Sequence, residues 1–265
     1  MNRIEQRFRE LRAAKKRAFI SYLCAGDPDI STTEKLVLGF DKAGVDIVEL
    51  GIPFSDPLAD GPTIQRASQR ALKKHVNIPK IFNLVRRLRE KTDMPIVLMG
   101  YYNPIYSYGV LNFIKHAKAA GIDGVIIPDL IPEEANEFIF IARQYDLNTI
   151  FLATPTSSGN RFRLIARKTR GFLYYVCLAG VTGARQVLPA HISQHIKQIK
   201  KISKIPVCIG FGVSTPRQVR ALSSYCDGII VGSAIIDRIE MNLPDKQKSV
   251  KKATSFVKGM MKGLR

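Results

Sequence analysis

"VDIVEL", residues 45–50, is a short, mostly apolar run with an acid next to its end. A strand with one wet face alternates apolar and polar residues, whereas a parallel strand covered on both faces reads as a nearly continuous apolar run. This stretch is of the second kind. So are "AFISYL" (18–23), "PIVLMGY" (95–101), "GVIIP" (124–128), "TIFLA" (149–153), "FLYYV" (172–176), "IPVCIG" (205–210) and "GIIVG" (228–232). With "VDIVEL" they make eight.

Helical patterns fill the gaps. Ser31 and Glu34 have capping-box spacing ahead of Leu36, Val37 and Phe40. Pro132 is read as opening a helix on Ala135, Phe138, Ile139 and Ala142, and Thr215-Pro216 as an N-cap followed by proline in the first turn. Each βα unit takes about 30 residues, and no composition shift or linker divides the chain. The expectation is an α/β fold: one (β/α)8 TIM barrel spanning residues 1–265, with an extra N-terminal helix before the first strand. A doubly wound open sheet stays open as the alternative, because strand count does not prove closure.

The 265 residues are 46% hydrophobic, enough for a large core. No apolar run reaches the roughly 20 residues of a membrane-spanning helix, and the first residues lack the apolar stretch of a signal peptide, so the reading is cytoplasmic. Cys24, Cys177, Cys208 and Cys226 show no paired spacing and sit in or beside apolar runs, as buried thiols do. His191 and His195 have helical spacing but no third ligand nearby, which reads as a solvated helix face and gives no metal site. The net charge of +19 comes without interleaved aromatics or a nucleic-acid reading motif. It fits a field that attracts anionic metabolites or an acidic protein partner.

In a barrel of this kind, reacting groups lie at the C-terminal ends of the strands. Glu49 is at such an end, pointing among packed interior layers. A buried carboxyl must be paired or must hold its proton at raised pH. No basic residue lies at the same level of any candidate strand, which favours a functional acid. Asp60, in "ADGP", is a second candidate; helix capping by Asp60 or Gly61 ahead of Pro62 explains it equally well. Asp56 reads as a turn residue.

Glycines recur after the last three strands, in "GVTG" (180–183), "GFG" (210–212) and "GSA" (232–234). Backbone N–H groups and a helix N-terminus there would cradle an anion across the mouth from Glu49. Tight βα turns alone also use glycine. No lysine ends a strand, which argues against a Schiff-base aldolase, and no carboxylate–histidine cluster points to a metal. Acid–base chemistry on a phosphorylated substrate remains.

"VELGIPFSDPLADGPTIQRASQRAL" resembles the signature of the tryptophan synthase α-subunit family, and "AGDPD", "YYNP", "IPDL", "GVTGAR", "GFGVS" and "GSAI" follow in that family's order. The resemblance implies a lyase of tryptophan biosynthesis that cleaves indole-3-glycerol phosphate to indole and glyceraldehyde 3-phosphate. It implies an αββα heterotetramer with a tryptophan synthase β subunit, which carries pyridoxal phosphate; no cofactor, nucleic acid or membrane is implied for this chain. By the same resemblance Glu49 is the acid/base and Asp60 the carboxylate that accepts the indole N–H. Thr182 matches the threonine of a mobile loop. Gly183, Gly212, Gly232 and Ser233 match the phosphate cradle, and Tyr22, Tyr101, Tyr174 and Phe211 match the pocket around the substrate. Two departures stand out: "CLAGVTG" has Cys177 and Leu178 where many relatives have Ser and often Arg, and Cys24 replaces a common Thr. A degenerate subunit that mainly activates its β partner is the competing reading.

Overall fold

The computed structural model describes residues 1–157, 159–176, 190–202, 204–210 and 212–264. Its strands are β1 (Ala18–Cys24), β2 (Ile47–Gly51), β3 (Ile96–Met99), β4 (Gly124–Ile126), β5 (Asn148–Ile150), β6 (Leu152–Ala153), β7 (Leu173–Val176), β8 (Val207–Gly210) and β9 (Gly228–Val231). Every paired neighbour is parallel, in the order β5-β4-β3-β2-β1-β9-β8-β7-β6.

β5 and β6 are two halves of one run, parted at Phe151. The first half pairs with β4 and the second with β7. Backbone bonds continue past the break, from Tyr174 N–H to the Phe151 carbonyl at 3.1 Å and from Arg170 N–H to the Thr149 carbonyl at 2.9 Å. The ring therefore closes through this run. The eight expected strands form a (β/α)8 barrel, and the open sheet is excluded.

Closure explains the continuous apolar runs. Alternate residues of each strand point to opposite faces, and here both faces are dry. Ile20, Ile47, Val97, Ile126, Ile150, Cys208 and Ile230 fill the barrel, while Phe19, Val48, Leu50, Leu98 and Val125 pack outward against Phe40, Phe82 and Phe113 of the helices.

The helix Arg3–Ala13 stoppers the end of the barrel where the strands begin. Its Ile4, Phe8 and Leu11 join the interior cluster, and the Phe8 ring lies 5.9 Å from that of Phe172. Asn2 anchors it by donating from Nδ2 to the carbonyls of Asp123 at 2.8 Å and Asp146 at 3.1 Å. Asp46, the other acid of "VDIVEL", belongs to this end. It accepts from Arg7 at 2.6 Å and from the Phe19 N–H at 2.7 Å.

Three local expectations change. The helix Ile30–Ala43 is capped by Asp29, whose side chain accepts from Thr32 N–H at 2.7 Å, so Ser31 and Glu34 do not form a capping box. Asp29 is reached earlier along the chain and leaves Glu34 to pair with Arg87 and Lys91. Pro132 lies in a turn, and the helix it was expected to open begins at Asn136. His195 is half-buried and packs its ring 6.0 Å from Phe162. Thr215 does cap the helix Pro216–Ser223, in a capping box with Gln218. Cys24, Cys208 and Cys226 are free and buried; Cys177 lies outside the described residues. Among the described residues, no helix is long and apolar enough to cross a membrane.

Candidate active site

The C-terminal strand ends form the barrel mouth, and Glu49 sits just inside it. It lies two residues above Ile47 on the inward phase of β2, level with Tyr22 on β1 and Val97 on β3. The residue is fully buried, and neither carboxyl oxygen has a hydrogen-bond partner among the described residues. Burial alone raises its pKa from 4.5 to about 8. The structural use of such an acid, pairing with a base, is absent among the described residues.

Asp60 is delivered by the loop after β2. The helix Pro62–Leu72 starts at Gly61 with no side-chain cap, so Asp60 is not consumed as one. Ser68 pins the loop, accepting from Phe54 N–H at 2.8 Å and donating to the Phe54 carbonyl at 3.0 Å. Tyr101, just past β3, accepts from Ala59 N–H at 2.9 Å and hydrogen-bonds the Asp60 carboxyl. Burial raises Asp60 to about 6, and the Tyr101 contact partly opposes it. Tyr101 itself is pushed up by burial and by Asp60.

Tyr22 and Tyr174 line the mouth from β1 and β7. Each hydroxyl rests where a neighbouring strand lacks a side chain. A Cβ on Gly51 would stand 2.1 Å from the Tyr22 hydroxyl, and one on Gly210 would stand 2.5 Å from that of Tyr174. Gly51 escaped the sequence reading. Its signal was available: it lies two residues beyond Glu49, on the same inward phase.

Gly212 follows β8 with a positive φ of 73°, and Gly232 follows β9, opening the helix Ser233–Glu240 with no side-chain cap. Ile235 N–H already donates to the Gly232 carbonyl at 2.8 Å, but no side chain caps the start of the helix, which suits an anion there. β9 lies beside β1 and β8 beside β9, so β9 and β2 are two strand spacings apart, about 10 Å. Glu49 is thus near the cradle's side of the mouth, not diametrically across it. Thr182, Gly183 and Phe211, together with Cys177 and Leu178, lie outside the described residues.

A second group of residues, also unforeseen, ties the two sides together. Arg70 donates to Asp27 at 2.7 and 2.9 Å and to Glu240 at 2.6 Å, while Arg66 donates to Glu240 at 2.8 Å and Thr63 to Asp237 at 3.0 Å. The helix that follows Asp60 is thereby locked to the helix that opens at Gly232. Among the described residues, no three His, Cys, Asp or Glu side chains gather as a metal site.

The mouth thus holds an acid unpaired among the described residues, a second, partly buried carboxyl on the loop after the same strand, and a helix start without a side-chain cap at a separation that suits a short chain between anion and reacting centre. A family model described as the tryptophan synthase alpha chain matches residues 8–265. The tryptophan synthase alpha chain of Geotalea daltonii is 49% identical over 240 residues, which are 91% of each chain. The crystal structure of the tryptophan synthase alpha subunit from Legionella pneumophila superposes with a TM-score of 0.92 at 37% identity, covering 100% of this chain and 98% of that one. A chain of the tryptophan synthase complex from Pyrococcus furiosus gives 0.84 at 38% identity, with 93% and 99% covered.

Proposed function

The chain belongs to the tryptophan synthase alpha chain family, and from that premise we propose that Glu49 and Asp60 carry out the family's reaction here. That reaction is the retro-aldol cleavage of indole-3-glycerol phosphate to indole and glyceraldehyde 3-phosphate, and the chain is a lyase of tryptophan biosynthesis. Its partner is the tryptophan synthase β subunit, to which pyridoxal phosphate belongs.

The carrying observation is Glu49, unpaired among the described residues and protonated at neutral pH in the barrel mouth. Unprotonated indole is a poor leaving group, so a proton must reach the ring carbon that bears the glycerol chain. Glu49 supplies it. Asp60, ionised above about pH 6, accepts the indole N–H and offsets the positive charge of the resulting indolenine. Ionised Glu49 then takes the proton of the hydroxyl on the carbon being released. The carbon–carbon bond breaks, its electron pair returns to the ring, and the hydroxyl carbon leaves as the aldehyde. Gly212, Gly232 and Ser233 hold the phosphate through backbone N–H groups, joined by Gly183. Tyr22, Tyr101, Tyr174 and Phe211 enclose the indole and its chain, and Thr182 closes toward Asp60.

Leu58 is 96% exposed, Tyr106 67% and Ile131 40%, and all three lie on segments that follow strand ends at the mouth. A partner that covers the mouth would bury these side chains. Here that partner is the β subunit, over the mouth, in an αββα assembly in the cytoplasm.

The test is a steady-state assay of this chain with a β subunit, following aldehyde release. Turnover that Glu49→Gln abolishes, with substrate binding retained, is the expected result. An unmodified chain that accelerates the β reaction yet releases no aldehyde would instead make it an activator without chemistry of its own.

A further inference from the structure

Glu49 has two tasks, and the proposed reaction leaves it ionised between them. A carboxylate stranded in an apolar barrel is costly unless a donor reaches it. The described residues offer few. The Tyr101 hydroxyl is committed to Ala59 and Asp60. Cys208 on β8 is a weak thiol donor, and Tyr174 stands over Gly210 on the far side of β9.

Tyr22 differs from these. It is level with Glu49 on the adjoining strand, its Cβ is within 3.3 Å of where a Gly232 side chain would begin, and its hydroxyl lies over Gly51. The ring therefore runs from the helix start after β9 to the end of β2, with its oxygen above the acid. Two glycines make room for it. At 7% exposure the residue is buried, and its hydroxyl makes no hydrogen bond to another described residue.

We propose that the Tyr22 hydroxyl is the hydrogen-bond donor that receives the Glu49 carboxylate between its two proton transfers. Rotation about the glutamate side chain lifts the carboxylate from its apolar seat toward Gly51, where the phenol O–H meets it. Tyr22 is then a positioning residue that acts through Glu49, an inference that rests on the acid/base role given to that residue. A phenylalanine would fill the same space without offering the proton.

The titrating groups that share this part of the mouth with Tyr22 are Cys24 on β1, Asp60, Glu49 and Tyr101, and Cys208 on β8 lies near enough to sense Glu49. The neighbouring interior positions Ile47, Val97, Ile126, Ile150 and Ile230 carry no charge. Burial holds the Tyr22 phenol neutral throughout the working range, so its loss acts on the group that its O–H meets.

The experiment compares wild type, Tyr22→Phe and a 3-fluorotyrosine substitution at position 22, each in complex with the β subunit. Glu49 protonation is followed by the infrared band of its neutral carboxyl, identified by its loss in Glu49→Gln. Tyr22→Phe should move the titration of that band, and the alkaline limb of kcat, upward by about one pH unit. The more acidic fluorophenol should move both downward, and the acidic limb should stay in place. Unshifted titrations in both variants, whatever their rates, overturn the proposal. Persistence of full turnover in Glu49→Gln overturns the acid/base role instead, so the two failures are told apart.

Discussion

Arg70 grips Asp27 through two parallel hydrogen bonds, Nε to Oδ1 at 2.7 Å and Nη2 to Oδ2 at 2.9 Å. Asp27 is 1% exposed, and burial raises its pKa despite the guanidinium beside it. The same Arg70 reaches Glu240, so one side chain spans three segments of the mouth. A lysine cannot reproduce that planar fork. Arg70→Lys is expected to cost about 1–3 kcal/mol in urea unfolding and to raise KM for the phosphorylated substrate, since the Asp60 helix and the Gly232 helix lose their tie. An unchanged KM would place the network outside the site's function.

Stability should fall as pH rises, because of Glu49. Its pKa is about 8 in the folded chain, against 4.5 for an ordinary glutamate carboxyl in water, so the folded state binds the proton more tightly. That contribution is complete below about pH 4.5 and is lost progressively as pH climbs through 8. Glu49→Gln has nothing to titrate there. The difference in unfolding free energy between the two proteins should therefore move by a few kcal/mol in favour of the variant from pH 5 to 9. Parallel curves would mean that Glu49 has a charge partner.

Cleavage should show a bell-shaped pH profile. Asp60 must be ionised and Glu49 protonated at the start, which sets limbs near 6 and 8. The two groups share one mouth, so the limbs describe the pair. Asp60→Asn is expected to lower kcat by about two orders of magnitude or more and to erase the acidic limb.

Gly51→Ala tests the steric seat of Tyr22. A methyl group placed 2.1 Å from the phenol oxygen must displace the ring. The expected cost is about 1–3 kcal/mol of stability, with a larger loss in kcat than the same change produces at Gly61, where no described atom lies within 4 Å.

Phe8→Ala should loosen the stopper. Removing a ring that packs on Phe172 is expected to cost about 3 kcal/mol, leaving the alkaline limb of kcat in place because the reacting groups lie at the other end.

Much of this molecule was legible in the sequence because two dry strand faces give continuous apolar runs, a local pattern. Glu49 was legible for the same reason, as a charge where the pattern admits none. Asp60 was not separable from a helix cap until Gly61 was found in that place. Gly51 could be placed on the inward phase from its spacing to Glu49, but its use as a seat for Tyr22, like the Arg70 network, depends on which strands and helices become neighbours after closure. Asp29 displaced Ser31 as a cap because several short polar side chains competed for one helix start.

The stopper helix has a consequence for synthesis. A ribosome releases residues 3–13 well before Phe172, which follows them by more than 150 positions, and β1 cannot complete its pairing until Gly228 emerges. The stopper helix must therefore wait, with Ile4 and Phe8 unhoused, while the strands it packs against are still being made. During translation the apolar face of this otherwise charged segment, Ile4, Phe8 and Leu11, is one that a chaperone would have reason to cover.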